Sequence, residues 1–361
     1  MTRAVAPSPI RLLESRWERF HLSKTMHVDL SPRHVSDVLR DAGRHVTWWY
    51  RLYSKLAWEK GLLLYDLTTT FAYSGSIKLA EKGYNPDRRY VDQIGVVMAF
   101  SCRDALPVGA DVFYGSVKDI ATIRDFLERL PDAARREGVG FILDRGFTSY
   151  GLLEDFRREG IGYVVPLKKN SKLMKVGWNG TPFLYRKRPV RWAHMESRYG
   201  RLYAFEDPEL GGAEEAALLR RVERKEMGMR EYEERKRVIG LLSDMEMDGP
   251  RMYDLYKGRE DIELAFDAMK NTLDADRTYL QSPEGVRGFF LVSFLAMRVH
   301  FKILKRLRER KLIGKVSVEE VLFELSKIER IVEKNGREYY ASIPKKARNI
   351  LSLFSDMLPM G

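Results

Sequence analysis

Leu62-Leu63-Leu64-Tyr65-Asp66 is a short apolar run that ends on a carboxylate, and Val139-Gly140-Phe141-Ile142-Leu143-Asp144 repeats the pattern further along. Continuous runs of this length mark strands buried on both faces, as in the centre of a parallel or mixed sheet. Between them, residues 93–101 and Val108 to Phe113 predict two more strands, and Asp119 opens a helix through Leu130. A further strand around Phe71 to Tyr73 is expected to pair back on the first as a hairpin. After Asp144, Thr148 or Ser149 caps a helix to Arg158, Gly160 ends it, and Tyr163-Val164-Val165 forms a strand that stops at Pro166. This alternation predicts an α/β protein.

The flanking segments differ in character. Residues 8–22 form one amphipathic helix candidate, Ser31-Pro32 starts a second that Gly43 closes, and a third runs to about Gly61. Trp48, Trp49, Tyr50, Tyr53 and Trp58 crowd the third; packing against a neighbouring layer is favoured over base stacking. Residues 167–237 break the α/β rhythm with short β-like pieces at Phe183 to Tyr185, Val190 to Trp192 and Leu202 to Phe205, followed by a charge run from Glu214 to Arg237. A β-rich insertion with a polar connection is expected there, after which Val238 to Leu242 resumes a buried strand. Ser282-Pro283-Glu284 opens a long helix to about Arg310, Ser317-x-x-Glu320 is a capping box, Asn335-Gly336 suggests a hairpin turn, and a last helix runs near 344–355. The expected division is therefore 1–60 (helical), 61–166 (core, first part), 167–237 (β-rich insertion), 238–312 (core, second part) and 313–361 (helical).

With 63 Lys+Arg against 51 Asp+Glu the chain carries +12 and a pI near 9.5, so anionic partners are expected, nucleic acid first. A hydrophobic share of 44% is enough for one large or two medium cores. No run approaches the ~18 apolar residues of a membrane helix. The N-terminus lacks the apolar centre of a secretion signal and Cys102 is the single cysteine, so a reducing cytoplasm, in association with the nucleoid, is the expected compartment.

Asp248-Gly249-Pro250 starts the helix that carries Tyr256, Arg259, Glu263 and Lys270, spaced Y-x2-R-x3-E-x6-K. At about 100° per residue one straight helix would bring all four within an arc of roughly 60°. Leu255, Ile262, Phe266 and Met269 fall on the adjoining stripe, which docks on a core and leaves the polar face towards a groove. Acids and bases at these spacings also occur on plain solvated helices. Gly258 weakens the helix interior, so a kink at the Tyr256 turn is open. Asp66 and Asp144 at strand ends and Glu263 on a helix are candidates to converge; three such acids repel unless cations neutralise them, and hard oxygen ligands select Mg²⁺ or Mn²⁺. Two such ions roughly 3.5–4 Å apart suit phosphoryl transfer. Each aspartate alone reads equally well as a turn or cap residue.

Tyr65-Asp66-Leu67-Thr68-Thr69, Asp144-Arg145-Gly146-Phe147 and the Tyr256, Arg259, Glu263, Lys270 set together resemble the DDE transposases of insertion sequences, in particular the cut-and-paste group that bears the YREK signature. Gly115, Asp119 and Thr122 in G-x3-D-x2-T, and Pro166-Leu167-Lys168, are similar to further stretches of that family. The resemblance covers about residues 60–312. It implies a ribonuclease H-like mixed sheet flanked by helices, with Asp66, Asp144 and Glu263 as the catalytic and metal-binding triad for two Mg²⁺ or Mn²⁺ ions. Tyr256, Arg259 and Lys270 would hold phosphates of the element end. Trp178 and Trp192 lie in the region where relatives stack a tryptophan on a flipped base. Implied partners are double-stranded DNA with terminal inverted repeats and target DNA; the implied active form is a homodimer in a synaptic complex, cutting through a hairpin intermediate. About sixty residues precede the first strand, fewer than expected for a full terminal-repeat-binding domain, so a short relative or an N-terminally reduced copy is expected. A structure-selective DNA nuclease of the same fold and an inactive end-binding repressor or relict are the alternatives.

Overall fold

The computed structural model describes residues 2–57, 61–74, 77–83, 90–117, 119–130, 139–168, 177–229, 232, 238–275 and 277–355. Trp58 and residues 230–231 and 233–237 of the charge run lie outside them, as do the side chains of Asp119 and Glu214. Where one amphipathic helix is expected over 8–22, the chain breaks into a 3-10 turn at Ile10–Leu12, a helix at Leu13–Trp17 and a second 3-10 turn at His21–Lys24. None of these pieces buries a residue or has a side-chain cap, and short helices without tertiary packing are not held in water. Helix α1 (Pro32–Arg44) does begin as expected: Ser31 Oγ accepts from His34 N, with proline at the first position. Helix α2 (Val46–Ala57) buries Tyr50 and Tyr53 in the core, while Trp48 stays 68% exposed.

Eleven strands among the described residues form one mixed sheet. Its first part is an antiparallel meander of β1 (Leu62–Ala72), β2 (Asp92–Ser101) and β3 (Leu106–Tyr114), to which β4 (Gly140–Leu143) and β5 (Gly162–Pro166) add in parallel on the other side of β1. The order β3-β2-β1-β4-β5 is the ribonuclease H-like arrangement. Phe71 to Ala72 is no separate hairpin strand. Thr68, Thr69 and Thr70 continue the extended backbone without a turn residue, and β1 pairs with β2 from Leu63 to Phe71.

Helices α3 (Asp119–Arg129) and α4 (Tyr150–Glu159) connect β3 to β4 and β4 to β5. Ile123, Phe126, Leu152, Leu153 and Phe156 cover one face, against Leu63, Tyr65, Phe141 and Leu143. Gly160 ends α4 with φ +70°, the left-handed conformation that glycine takes without steric cost. Beneath α3, buried Asp111 accepts hydrogen bonds from Tyr50 Oη and Arg129 Nη1, both at 2.6 Å.

The expected β-rich insertion is present, but its strands lengthen the same sheet. Strands β6 (Phe183–Tyr185), β7 (Arg188–Ser197) and β8 (Gly200–Glu206) form a second meander; β8 pairs with β9 (Ile239–Ser243), and β9 pairs with β5. Part of the expected polar connection is helical: α5 (Pro208–Glu223) starts where Asp207 Oδ1 accepts from Leu210 N, with proline at its first position.

Asp248 likewise caps α6 (Gly249–Lys257), accepting from Arg251 N at 2.8 Å. The motif helix is not continuous. α6 stops at Gly258, α7 (Glu260–Asp267) begins after Arg259, and residues Ala268–Thr272 form a π turn. Its apolar side and α6 cover the second face of the sheet, where Met252, Tyr253, Ile262, Ala265 and Phe266 pack with Leu64, Ile142 and Val164.

Ser282 caps the long helix α8 (Pro283–Glu309), accepting from Gly285 N. It crosses α1 backbone to backbone: a Cβ on Gly43 would lie 1.8 Å from Glu284 O, and one on Gly288 1.9 Å from Leu39 O. Only glycine allows that approach. Ser317 caps α9 (Val318–Leu325), Gly336 turns a short hairpin of Arg330–Val332 with Glu338–Tyr340, and α10 (Lys345–Ser352) closes a small third cluster with Leu307, Val321 and Ile350. No helix among the described residues is long and apolar enough to cross a membrane.

Candidate active site

Register decides which acids meet. In the parallel ladder Leu64 faces Ile142 and Tyr65 faces Leu143, so Asp66 and Asp144 are the next positions on neighbouring strands, which lie about 4.8 Å apart. Strand alternation assigns their side. Tyr65 and Leu143 point into the cluster under α3 and α4, Leu64 and Ile142 into the cluster under α7, and Asp66 and Asp144 follow the latter. Asp144 keeps extended dihedrals, φ −82° and ψ 171°, before the 3-10 turn Arg145–Phe147. Both aspartates therefore emerge on the face covered by the helix that carries Glu263.

Arg259 joins the three. Its Nη1 stands 3.0 Å from Asp144 Oδ1, with the guanidinium only 15% exposed. Burial works against the charge, but Asp144 and then Tyr256, Asp66 and Glu263 act on it electrostatically and hold its pKa above the ordinary arginine value. Arg259 also reaches Tyr256, with Nη1 3.4 Å from the phenol oxygen and the guanidinium carbon 5.5 Å from the ring centre. Asp66 Oδ1 accepts from Leu67 N at 2.9 Å. Glu263 is solvent-exposed, and its side chain makes no hydrogen bond or ion pair among the described residues.

The break at Gly258 gives Arg259 this position. On one straight helix it would share a stripe with Glu263; instead it sits between two helices, in the N-cap position of α7, and turns back to the strand end. The π turn similarly changes the facing of Lys270, which is half-buried and has no ion-pair partner among the described residues. The single arc expected from uniform helical geometry is thus replaced by two segments and a π turn, for the reason Gly258 suggested: its lack of a side chain favours an interruption.

Among the described residues, no group of three His, Cys, Asp or Glu side chains is gathered closely enough to hold a metal ion. The cation paired with Asp144 is Arg259. As a donor set, two carboxylates adjacent in register and a third on the facing helix suit a hard divalent ion by oxygen chemistry.

The two tryptophans differ. Trp178 is 39% exposed, with the guanidinium of Arg191 4.9 Å from its ring centre. Trp192 lies in β7 with its ring against Gly180 and Gly249, where an added Cβ would approach within 2.2 and 2.1 Å, and Nε1 donates to Thr181 O. The residue is half-buried, and its ring also stacks near His194 and Tyr203. Of the accessory residues, Thr122 is fully buried and Gly115 O accepts from Gln93 Nε2.

Several bracing contacts carry no motif. Arg308 Nη2 on α8 is 2.6 Å from Asp261 Oδ1 on α7, Thr272 Oγ1 donates to Glu319 at 3.0 Å, and Glu260 pairs with Lys257 at 3.2 Å and Arg186 at 3.1 Å. All but the Lys257 pair join side chains far apart in sequence, and the only advance signal was acid and base spacing on single helices.

Residues 59–298 match the family model for the transposase DDE domain. No curated protein matches the chain. Among solved structures, a cryo-EM structure of the piggyBac transposase synaptic complex with hairpin DNA is similar at 10% identity and a TM-score of 0.42, covering 83% of this chain and 52% of that one. The chain thus spans about half the length of that transposase. With more than half of its residues matched by the family model, and Asp66, Asp144 and Glu263 all inside the matched range, the chain belongs to the transposase DDE domain family.

Proposed function

We propose that the chain is a metal-dependent DNA transposase that cleaves at element ends and transfers the freed strand to target DNA. One observation carries this reading: Asp66 and Asp144 stand in register at neighbouring strand positions, beneath the helix of Glu263, with the half-buried Arg259 paired to Asp144 and under the electrostatic influence of the other two acids. Asp66, Asp144 and Glu263 would hold Mg²⁺ or Mn²⁺, two ions in all, which when bound activate the attacking oxygen and stabilise the leaving one. Arg259, Lys270 and Tyr256 would bind phosphates of the element end: the first as a forked donor, the second as a mobile ammonium, the third through its phenol. Trp178, with its exposed ring beside Arg191, is the better candidate to stack on an unpaired base, and Trp192 is assigned to packing. Terminal inverted repeats, a target duplex, a hairpin intermediate and a synaptic homodimer complete the reading.

A second reading, an end-binding protein that does not cut, is favoured by the ion pair of Arg259 with Asp144. Glu263→Gln tests the first: duplex binding should persist while strand cleavage in Mg²⁺ disappears. Cleavage at the unmodified rate by that variant refutes the triad. Calorimetric titration with Mg²⁺ separates the two readings, since the transposase must bind the ion and the end-binding protein need not.

A further inference from the structure

Strands β6 and β7 are joined by a two-residue turn, Arg186-Lys187, with Tyr185 paired to Arg188. Both turn residues have positive φ, +49° and +70°. This is the pattern of a tight type I′ hairpin turn, which suits Asn-Gly and penalises side chains with a Cβ. Here it carries two long cationic side chains, followed at once by a third, Arg188. Strain kept at a surface turn points to use, because a cheaper sequence for the same turn is always available.

The position of the turn says what the use is. Arg186 Nη1 is 3.1 Å from Glu260 Oε2, at the first residue of α7, and the next residue back is Arg259, which reaches Asp144. Arg188 turns inwards to Asp207 at 3.5 Å, whereas Lys187 is exposed and has no ion-pair partner among the described residues. The hairpin tip is therefore tied to the start of α7, one residue from Arg259, and presents the exposed ammonium of Lys187 beside it. We propose that the Arg186-Lys187 tip is a DNA-backbone clamp, gripping phosphates of a duplex that runs on from the Asp66, Asp144 and Glu263 site. The clamp rests on the reading that the ligand of this site is DNA.

Two double variants test it, with binding of a short duplex of arbitrary sequence followed by fluorescence anisotropy across a salt series without divalent metal. Arg186→Asn with Lys187→Gly relieves the strain and removes the charge. The expected result is a melting temperature higher by roughly 2–4 °C together with duplex affinity at least about tenfold weaker at 0.1 M salt and a salt slope smaller by nearly two, about 0.9 for each lost contact. Arg186→Gln with Lys187→Gln keeps the strained backbone and should lose the same affinity. Unchanged affinity and slope in either variant, with the unmodified protein binding well, overturns the clamp alone. Failure of the unmodified protein to bind duplex DNA overturns the underlying reading as well.

Discussion

Removal of the Arg259 guanidinium should destabilise the metal-free protein and make it more responsive to Mg²⁺. The pair with Asp144 is 3.0 Å between heavy atoms; with charge centres about 4 Å apart, the Coulomb attraction at an effective dielectric of 20 is about 4 kcal/mol. Asp144 is 43% exposed, so solvent screening reduces the net value to about 1–2 kcal/mol. Loss of that attraction in Arg259→Gln, in a chain of this size, lowers the melting temperature by about 1–3 °C. Added Mg²⁺ then acts in the opposite direction. An ion at a hundred times its dissociation constant stabilises by about 2.7 kcal/mol, and the variant no longer has to displace a guanidinium from Asp144. Melting curves with and without Mg²⁺ should therefore show a larger upward shift in Arg259→Gln than in the unmodified protein. An equal shift in both, or none in either, refutes the idea that arginine and metal share the same carboxylates.

Trp192→Ala should cost about 2–4 kcal/mol in denaturant unfolding, because the ring fills the space between Gly180 and Gly249, whereas Trp178→Ala should cost under about 0.5 kcal/mol and lower affinity for DNA with unpaired bases. Asp111→Ala leaves the Tyr50 hydroxyl without its buried acceptor, while Arg129 keeps its pair with Asp125 at 2.6 Å, so a loss of about 1–3 kcal/mol is expected by urea titration; no measurable loss would show that water replaces the carboxylate. His300 is buried, which depresses its pKa despite Glu319 nearby. The folded state then resists protonation while the unfolded state accepts it, so stability is whole well above the ordinary histidine pKa of about 6.5 and falls as the pH drops below it; His300→Gln should flatten that slope on the acid side of about pH 6.5.

Much of the site was legible because it depends on strand ends. An apolar run stopping at Asp66, and another at Asp144, can be read without knowing which strands pair, and the parallel register then makes the two acids neighbours. The helix of Glu263 was also visible, but its course was not. Gly258 marked where the helix could break, but uniform rotation per residue cannot foresee that Arg259 turns back to Asp144 or that Ala268–Thr272 winds as a π turn. Charge composition concealed α5, whose surface is polar while Asp207 and Pro208 supply the start signal. The opposite error occurred at the N-terminus, where apolar spacing over 8–22 promised a helix but no partner surface buries it. Trp178 and Trp192 were indistinguishable in sequence, since the two glycines that enclose Trp192 come from distant segments.

The hydrogen-bonded ladder that begins at β3 runs without a gap through β5 and β9 to the hairpin tip. A continuous pleated plate resists shear along every rung, so the basic tip and the acidic strand ends keep a set spacing instead of closing like jaws. On the proposed reading, a duplex that touches both would have to bend or slide to suit that gauge, and selectivity would then come from how readily the nucleic acid deforms.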